Sequence, residues 1–189
     1  GAAPIERALI DGATTTGVTT FQIAKSVDTG GILLAREVPI GPNETYEDLY
    51  PRLAEIGAEV LVETIDQLEA GRLRPLPQDD ALATPAPKIT PADSIIDWSR
   101  PATQVVNQIR GLAGSADAYT GLDGKRLKIL RAEPSAAANG LHPPGEIIAA
   151  DRHSGLVVAA GAGTVRLLEV CLEGKKRMDV RAFLNGVHP

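Results

Sequence analysis

Apolar and polar positions along this chain change their period several times, and each change predicts an element. Over residues 2–10, Ile5, Ala8 and Leu9 share one stripe behind Pro4, which suits a first helical turn. Asp11-Gly12 closes the segment, so it reads as a short helix. Over 17–23, Thr19, Phe21 and Ile23 alternate with Val18, Thr20 and Gln22, the two-residue period of a strand. The turn Asp28-Thr29-Gly30-Gly31 leads into a second strand over 32–40, rich in branched side chains and stopped by Gly41-Pro42. The longest helical pattern covers 45–70. Leu49, Leu53, Ile56, Val60 and Leu68 keep helical spacing, Thr45 is the N-cap with Asp48 in the capping-box position, and Gly71 supplies C′.

Pro75, Pro77, Pro85, Pro87 and Pro91 then crowd into 72–93, which predicts an extended linker lying across the surface and a domain boundary near 80–95. Beyond it Val105, Val106, Ile109 and Leu112 mark a helix over 101–112. Short strands are predicted over 118–122, 125–132, 145–150, 155–160 and 163–172. Leu122-Asp123-Gly124-Lys125 has the composition of a type I′ hairpin turn, and Gly161-Ala162-Gly163 is a second turn. Residues 134–144 read as a mobile loop, and Asp179 caps a last helix through Phe183 and Leu184. Several short strands with tight turns predict a small antiparallel barrel.

Composition narrows the classes. The chain has 189 residues with an ordinary apolar content but only six aromatic side chains, so its core rests on Leu, Ile, Val and Ala. No apolar run approaches the ~20 residues that span a bilayer, and no charged segment followed by an apolar one opens the chain. The lone Cys171 lies in a strand-like run and reads as a buried structural thiol, as expected of a cytoplasmic protein. The net charge of −5 is unevenly spread. Residues 1–80 hold 14 acidic against 6 basic side chains, a net of −8, while 81–189 hold 10 against 13, a net of +3. A polyanionic partner for the second half and a slightly basic domain with none are both compatible with that figure.

Chemistry is sparsely marked. Asp28-Thr29-Gly30-Gly31 could be a plain turn, with Asp bonding nearby amides, or the carrier of a working carboxylate; no phosphate-loop pattern is present. The stretch 1–80 contains no histidine, and His142, His153 and His188 lack companions at metal-ligand spacing, so no metal site is spelled out. Basic residues cluster at Lys125-Arg126-Lys128-Arg131 and at Lys175-Lys176-Arg177, with Arg181 beyond. Strand alternation would put Arg126 and Lys128 on one face and Lys125 and Arg131 on the other. The clusters suit either a charged strand edge or phosphate contacts, and the scarcity of aromatics favours contact with a backbone over base stacking.

These segments together closely resemble methionyl-tRNA formyltransferases. The resemblance rests on Gly1-Ala2-Ala3-Pro4-Ile5, Thr16-Gly17-Val18-Thr19 and Val27-Asp28-Thr29-Gly30 in the first half. In the second half it rests on Ile96-Asp97-Trp98-Ser99, Leu122-Asp123-Gly124-Lys125-Arg126-Leu127-Lys128, Pro144-Gly145-Glu146-Ile147, Glu173-Gly174-Lys175-Lys176-Arg177-Met178 and Phe183-Leu184-Asn185-Gly186. It implies an α/β, Rossmann-like portion of a formyltransferase domain over 1–80, a linker over 81–95 and a small antiparallel, OB-like β-barrel that binds tRNA over 96–189. Two departures stand inside the match. The family tends to have an acidic residue and a glycine where this chain has Ala24 and Ser26, and an aromatic- and proline-rich run where it has Gly114-Ser115-Ala116-Asp117.

The resemblance implies formyl transfer from 10-formyltetrahydrofolate to the amino group of methionyl-initiator tRNA, without a metal and in a complete enzyme that is monomeric. It places the catalytic aspartate at Asp28, the folate beside Ser26 and Val27, and tRNA against Lys125, Arg126, Lys128, Lys175, Lys176 and Arg177. The family's catalytic Asn and His fall in a segment ahead of Gly-Ala-Ala-Pro. The chain therefore reads as an incomplete copy, inactive alone, with a sheet edge and apolar surface left open in its first half. A polyanion-binding module without catalysis and a formyltransferase for a sugar or other small amine are the alternative readings.

Overall fold

The computed structural model describes residues 1–135 and 142–186; the Ala-Ala-Ala-Asn-Gly part of the expected 134–144 loop and His188 lie outside the described residues. The first half builds α1 (Pro4–Ile10), β1 (Thr15–Phe21), β2 (Ile32–Pro39) and α2 (Tyr46–Glu69). β1 and β2 pair antiparallel from Thr15 opposite Pro39 to Phe21 opposite Ile32, with an irregularity between Thr20 and Phe21. The strand therefore begins earlier than its apolar alternation predicts, because the polar Thr15 and Thr16 are ladder residues, and it ends at the bulge. α2 starts on the predicted capping box: the Asp48 amide donates to Thr45 Oγ1 at 3.3 Å and the Thr45 amide to Asp48 Oδ2 at 3.1 Å, so the shorter Asp does the work of Glu. Leu9, Val38, Ile40, Leu49 and Leu53 form the small core of this half.

The second half contains α3 (Ala102–Leu112), β3 (Ala118–Leu122), β4 (Lys125–Ser135), β5 (Ile147–Asp151), β6 (Gly155–Ala159), β7 (Thr164–Leu172), β8 (Met178–Asp179) and α4 (Val180–Leu184). Asp123 and Gly124 both adopt positive φ, +48° and +75°, at the β3–β4 turn, as a type I′ turn requires. Asp179 accepts from the Arg181 amide and caps α4. α3 buries Val105, Ile109 and Leu112 against Ile129, Val165, Val170 and Phe183.

The sheet is antiparallel, in the order β3-β4-β7-β6-β5 with β8 on β7, and among the described residues no β3–β5 pairing closes it. The expected OB-like barrel is thus corrected to an open sheet. The reason lies in residues 95–101. The Ile96 amide donates to Tyr119 O on β3, the Ala102 amide to Ala162 O, and the Gly161 amide to Trp98 O and Arg100 O. At Tyr119 it takes up an edge group of β3 that a closing strand would have used, and its other bonds tie it to the β6–β7 turn.

The halves meet along a tight seam. Gly111 of α3 sits so close to α1 that a Cβ there would lie 2.8 Å from Ile10 Cγ1 and 3.0 Å from Glu6 O. Arg7 pairs with Asp93 at 3.0 Å and donates to Pro87 O and Lys88 O, which ties the linker down across α1. Arg110, buried to 7% exposure, donates to Asn107 and Gly41 O. At the other end Arg131 reaches Asp48 at 2.8 Å, and Arg177 reaches Glu47 at 2.7 Å while holding Glu169 with two nitrogens at 2.6 and 2.7 Å. Burial pushes the Asp48 carboxyl up, but hydrogen bonds from Arg131 and Thr45 outweigh it and hold it at about 2.

Candidate functional site

Asp28 occupies the tip of the loop between β1 and β2, with φ at +57°, a conformation that Asp tolerates better than most non-glycine residues. Other groups fix the loop. Gln78 Nε2 donates to Asp28 O and Gly30 O, both at 2.7 Å, the Gln22 amide donates to Gly31 O at 3.0 Å, and Thr29 Oγ1 donates to Ser26 O at 3.2 Å. Gly30 is packed directly on Gln22 O, where any side chain would overlap it, and a Cβ on Gly31 would meet that of Pro75 at 2.7 Å. Both glycines are demanded by close approach of the backbone. The Asp28 carboxylate does not clasp this loop: it is 61% exposed and lies 3.8 Å from Gly1 N. Ser26 and Val27 are exposed beside it, and Ile23 presents a bare aliphatic chain on the same loop.

The cationic residues separate into two groups. Lys125, Arg126, Lys128 and Lys175 line one cleft of about 680 Å³ with Tyr119, Thr120, Cys171 and Glu173. A neighbouring hollow of about 400 Å³ shares Tyr119, Arg126 and Lys128, so the two adjoin along β3 and β4. Within it the Arg126 guanidinium lies over the Tyr119 ring at 4.2 Å, and Lys128 Nζ pairs with Asp117 at 2.9 Å. Lys176 is exposed beside Lys175. Arg177 is drawn away from the cleft into the seam by Glu47 and Glu169.

Three readings change here. Arg131 does not share a face with the Leu127 and Ile129 side of β4, because a bulge after Ile129 sets it opposite Glu169 while Ile129 faces the buried Val170. Cys171 is half-buried in the cleft wall, its thiol donating to Lys175 O at 3.3 Å, and is not a core residue. Tyr119 was not expected in a binding surface; its register opposite Lys128 is what brings it there. Gln78 was missed as well, since nothing in a proline-rich linker signals a clamp on a loop 48 residues away. Asp117 stands at φ +51° in the segment that departs from the family's usual run, and there it neutralises Lys128.

His142 lies 3.2 Å from Glu146, and His153 sits in the turn after β5. Among the described residues no group of three or more His, Cys, Asp or Glu side chains is placed to hold a metal, and no helix is long and apolar enough to cross a membrane.

Comparison with known proteins adds the following. The family model for the formyl transferase C-terminal domain matches residues 88–188, and that for the formyl transferase domain itself matches residues 1–65. A methionyl-tRNA formyltransferase of Geobacter sulfurreducens is 44% identical over 186 residues, covering 98% of this chain; the chain spans 57% of that relative's length. Among solved structures, HypX from Aquifex aeolicus in complex with tetrahydrofolic acid superposes with a TM-score of 0.71 over 98% of this chain and 32% of its own, at 21% identity. A methionyl-tRNA formyltransferase from Clostridium thermocellum gives 0.58 over 73% and 59%, at 22% identity. At these identities the two structural matches are likenesses of fold.

Proposed function

This chain belongs to the formyl transferase family, and from that premise we propose that it carries out part of formyl transfer from 10-formyltetrahydrofolate to the amino group of methionyl-initiator tRNA. Asp28 is the catalytic carboxylate, Ser26 and Val27 adjoin the folate, and Lys125, Arg126, Lys128, Lys175 and Lys176 contact the tRNA backbone. Arg177 serves the seam, where Nε, Nη1 and Nη2 each already donate to Glu47 or Glu169. The observation that carries this reading is the position of Gly1 N, 3.8 Å from Asp28 Oδ2. In the family the Asn and His lie just ahead of the Gly-Ala-Ala-Pro motif. Polypeptide joined at Gly1 would therefore enter beside this carboxylate.

In the reaction the amine attacks the formyl carbon, a C–N bond forms and an oxyanion develops. The tetrahedral species collapses with loss of the bond to N10, and the amine's proton ends on the departing tetrahydrofolate. Asn and protonated His would donate to the oxyanion. Asp28 would orient the imidazole and favour its charged form, or accept the amine proton through water. Its freedom from loop hydrogen bonds leaves both oxygens available. Asp28 cannot replace the donors, and the loss of one typically costs ~10²–10³ in rate.

The test is formyl transfer with folate donor and charged tRNA. This chain alone is expected to show negligible turnover. Extended ahead of Gly1 by the unmatched part of the Geobacter relative, it is expected to turn over, and Asp28→Asn in the extended form to lose at least ~10²-fold. Equal rates with and without the extension, or an unaffected Asp28→Asn, would overturn the proposal. The basic cleft supports a second reading, a polyanion-binding module without catalysis; salt-sensitive tRNA binding by an extended chain that never turns over would favour it.

A further inference from the structure

Three strands build one wall of the basic cleft. Between β3 and β4, Tyr119 lies opposite Lys128 and Gly121 opposite Arg126, and Lys128 in turn lies opposite Cys171 on β7. Alternate residues of a strand share a face, so Tyr119, Arg126 and Lys128 point to the same side, away from the buried Ala118, Leu127 and Ile129. Gly121 places no side chain opposite Arg126, which leaves the guanidinium room to lie over the Tyr119 ring. Lys128 is the central cation of this wall, since it lines both adjoining hollows.

An acid is fixed at that centre. Asp117 Oδ2 accepts from Lys128 Nζ at 2.9 Å and Oδ1 from the Gly114 amide at 3.0 Å, so both carboxylate oxygens are engaged. Of the four cations lining the larger hollow, Lys128 alone is in an ion pair among the described residues. The other carboxylate there, Glu173, accepts from the Arg126 amide. Stability is a poor reason for the Asp117–Lys128 pair. The two side chains are 21% and 42% exposed, and pairs this open contribute little. Asp117 also stands at φ +51°, a conformation that glycine adopts more freely, without the carboxylate. What the arrangement does achieve is a negative charge held at the middle of a cationic cleft.

We propose that Asp117 is an internal competitor for phosphate, its carboxylate occupying the position at which a phosphate would pair with Lys128. A polyanion is then gripped through Lys125, Arg126 and Lys175 and gains nothing net at Lys128. If a phosphate takes Lys128, one anion replaces another: a phosphate is neutralised, a carboxylate is released beside it, and the salt dependence of binding does not steepen. The two anions left side by side also repel. The proposal rests on the polyanion-binding part of the reading above and is independent of catalysis at Asp28.

The experiment titrates initiator tRNA with this chain at stepped salt, followed by fluorescence anisotropy. Asp117→Asn removes the charge while keeping an acceptor for the Gly114 amide and a residue that tolerates positive φ. It is expected to steepen the slope of log affinity on log salt by about 1 and to tighten binding about five- to tenfold near 0.1 M salt, as for one added phosphate contact. Asp117→Gly should do the same, and it keeps the test open if the Asn chain folds poorly. Asp117→Asn with Lys128→Ala has the parent's net charge and should return to the parent's slope. Asp123→Asn, at the β3–β4 turn, changes the charge equally without lining the cleft and should keep the parent's slope. The proposal is overturned if both Asp117 variants bind with the parent's slope and affinity, if the double variant keeps the steeper slope, or if Asp123→Asn steepens it as much. Salt-sensitive binding by the parent with no change in the Asp117 variants sinks this inference and leaves the tRNA surface standing. No binding by the parent or by either Asp117 variant sinks both.

Discussion

Gly111→Ala should open the seam between the two halves. The added Cβ would point from α3 into α1 and lie 2.8 Å from Ile10 Cγ1, 3.0 Å from Glu6 O and 3.1 Å from Ile10 N. The last two atoms stand in the i to i+4 relation of one α1 hydrogen bond, so the methyl would press on the helix backbone, which cannot yield as a flexible side chain can. Alanine is favoured over glycine inside a helix by about 1 kcal/mol, which works in the variant's favour. Forcing a methyl into a packed contact costs about 1–3 kcal/mol, and relief requires α1 to shift away from Asp93, where Arg7 holds it at 3.0 Å. Three contacts at 3.1 Å or less, two of them to backbone atoms, put that cost in the upper part of its range, about 2–3 kcal/mol, so the net expectation is a loss of about 1–2 kcal/mol, or roughly 2–8 °C in melting temperature for a chain of this size. Urea and thermal unfolding monitored by circular dichroism measure it, with Gly121→Ala as the control, since a Cβ there meets nothing within 4 Å. A Gly111→Ala chain as stable as the parent would show that α1 and α3 do not depend on this close approach.

Two further outcomes are expected. Asp48 and Asp93 both titrate at about 2 in the folded chain against an ordinary 3.8: in Asp48 the bonds from Arg131 and Thr45 override burial, and in Asp93 those from Arg7 lead, followed by Thr90. A depressed folded value contributes stability that is complete above the unfolded value and is lost as pH falls through the folded one. Urea midpoints should therefore hold down to about pH 5 and fall between about pH 4 and pH 2, with a smaller fall in an Asp48→Asn, Asp93→Asn chain; an equal fall in both would refute the assignment. In titrations of initiator tRNA at stepped salt, Arg126→Ala and Lys175→Ala should each reduce the slope of log affinity on log salt by about 1, as for a lost phosphate contact. Arg177→Ala should leave that slope alone and lower the melting temperature, and the reverse pattern would return Arg177 to the tRNA surface.

Local signals were legible wherever a short stretch of chain decides its own geometry. Thr45 with Asp48 announced the start of α2 because a capping box is closed by residues three apart. Asp123-Gly124 announced a hairpin because few dipeptides accept two positive φ angles. The family motifs, including the Asp28 loop, are linear strings and could be read as such. Tertiary contacts decided the rest. Whether the antiparallel sheet closes depended on residues 95–101 taking up groups on β3 and at the Ala162 turn, a partner fixed by the path of the linker. Which arginines remain free for a polyanion depended on a bulge in β4 and on Glu47 and Asp48 arriving from the other half of the molecule. The pattern of α2 fixed how much apolar surface it would offer, but only the packed structure revealed that Leu49, Leu53 and Val60 are covered while Leu61, Ile65 and Leu68 are exposed. The sequence thus determines backbone choices whose energies are settled within a few residues. Pairings across a hundred residues depend on where the whole chain brings opposite charges and open edges together, and no local pattern encodes that.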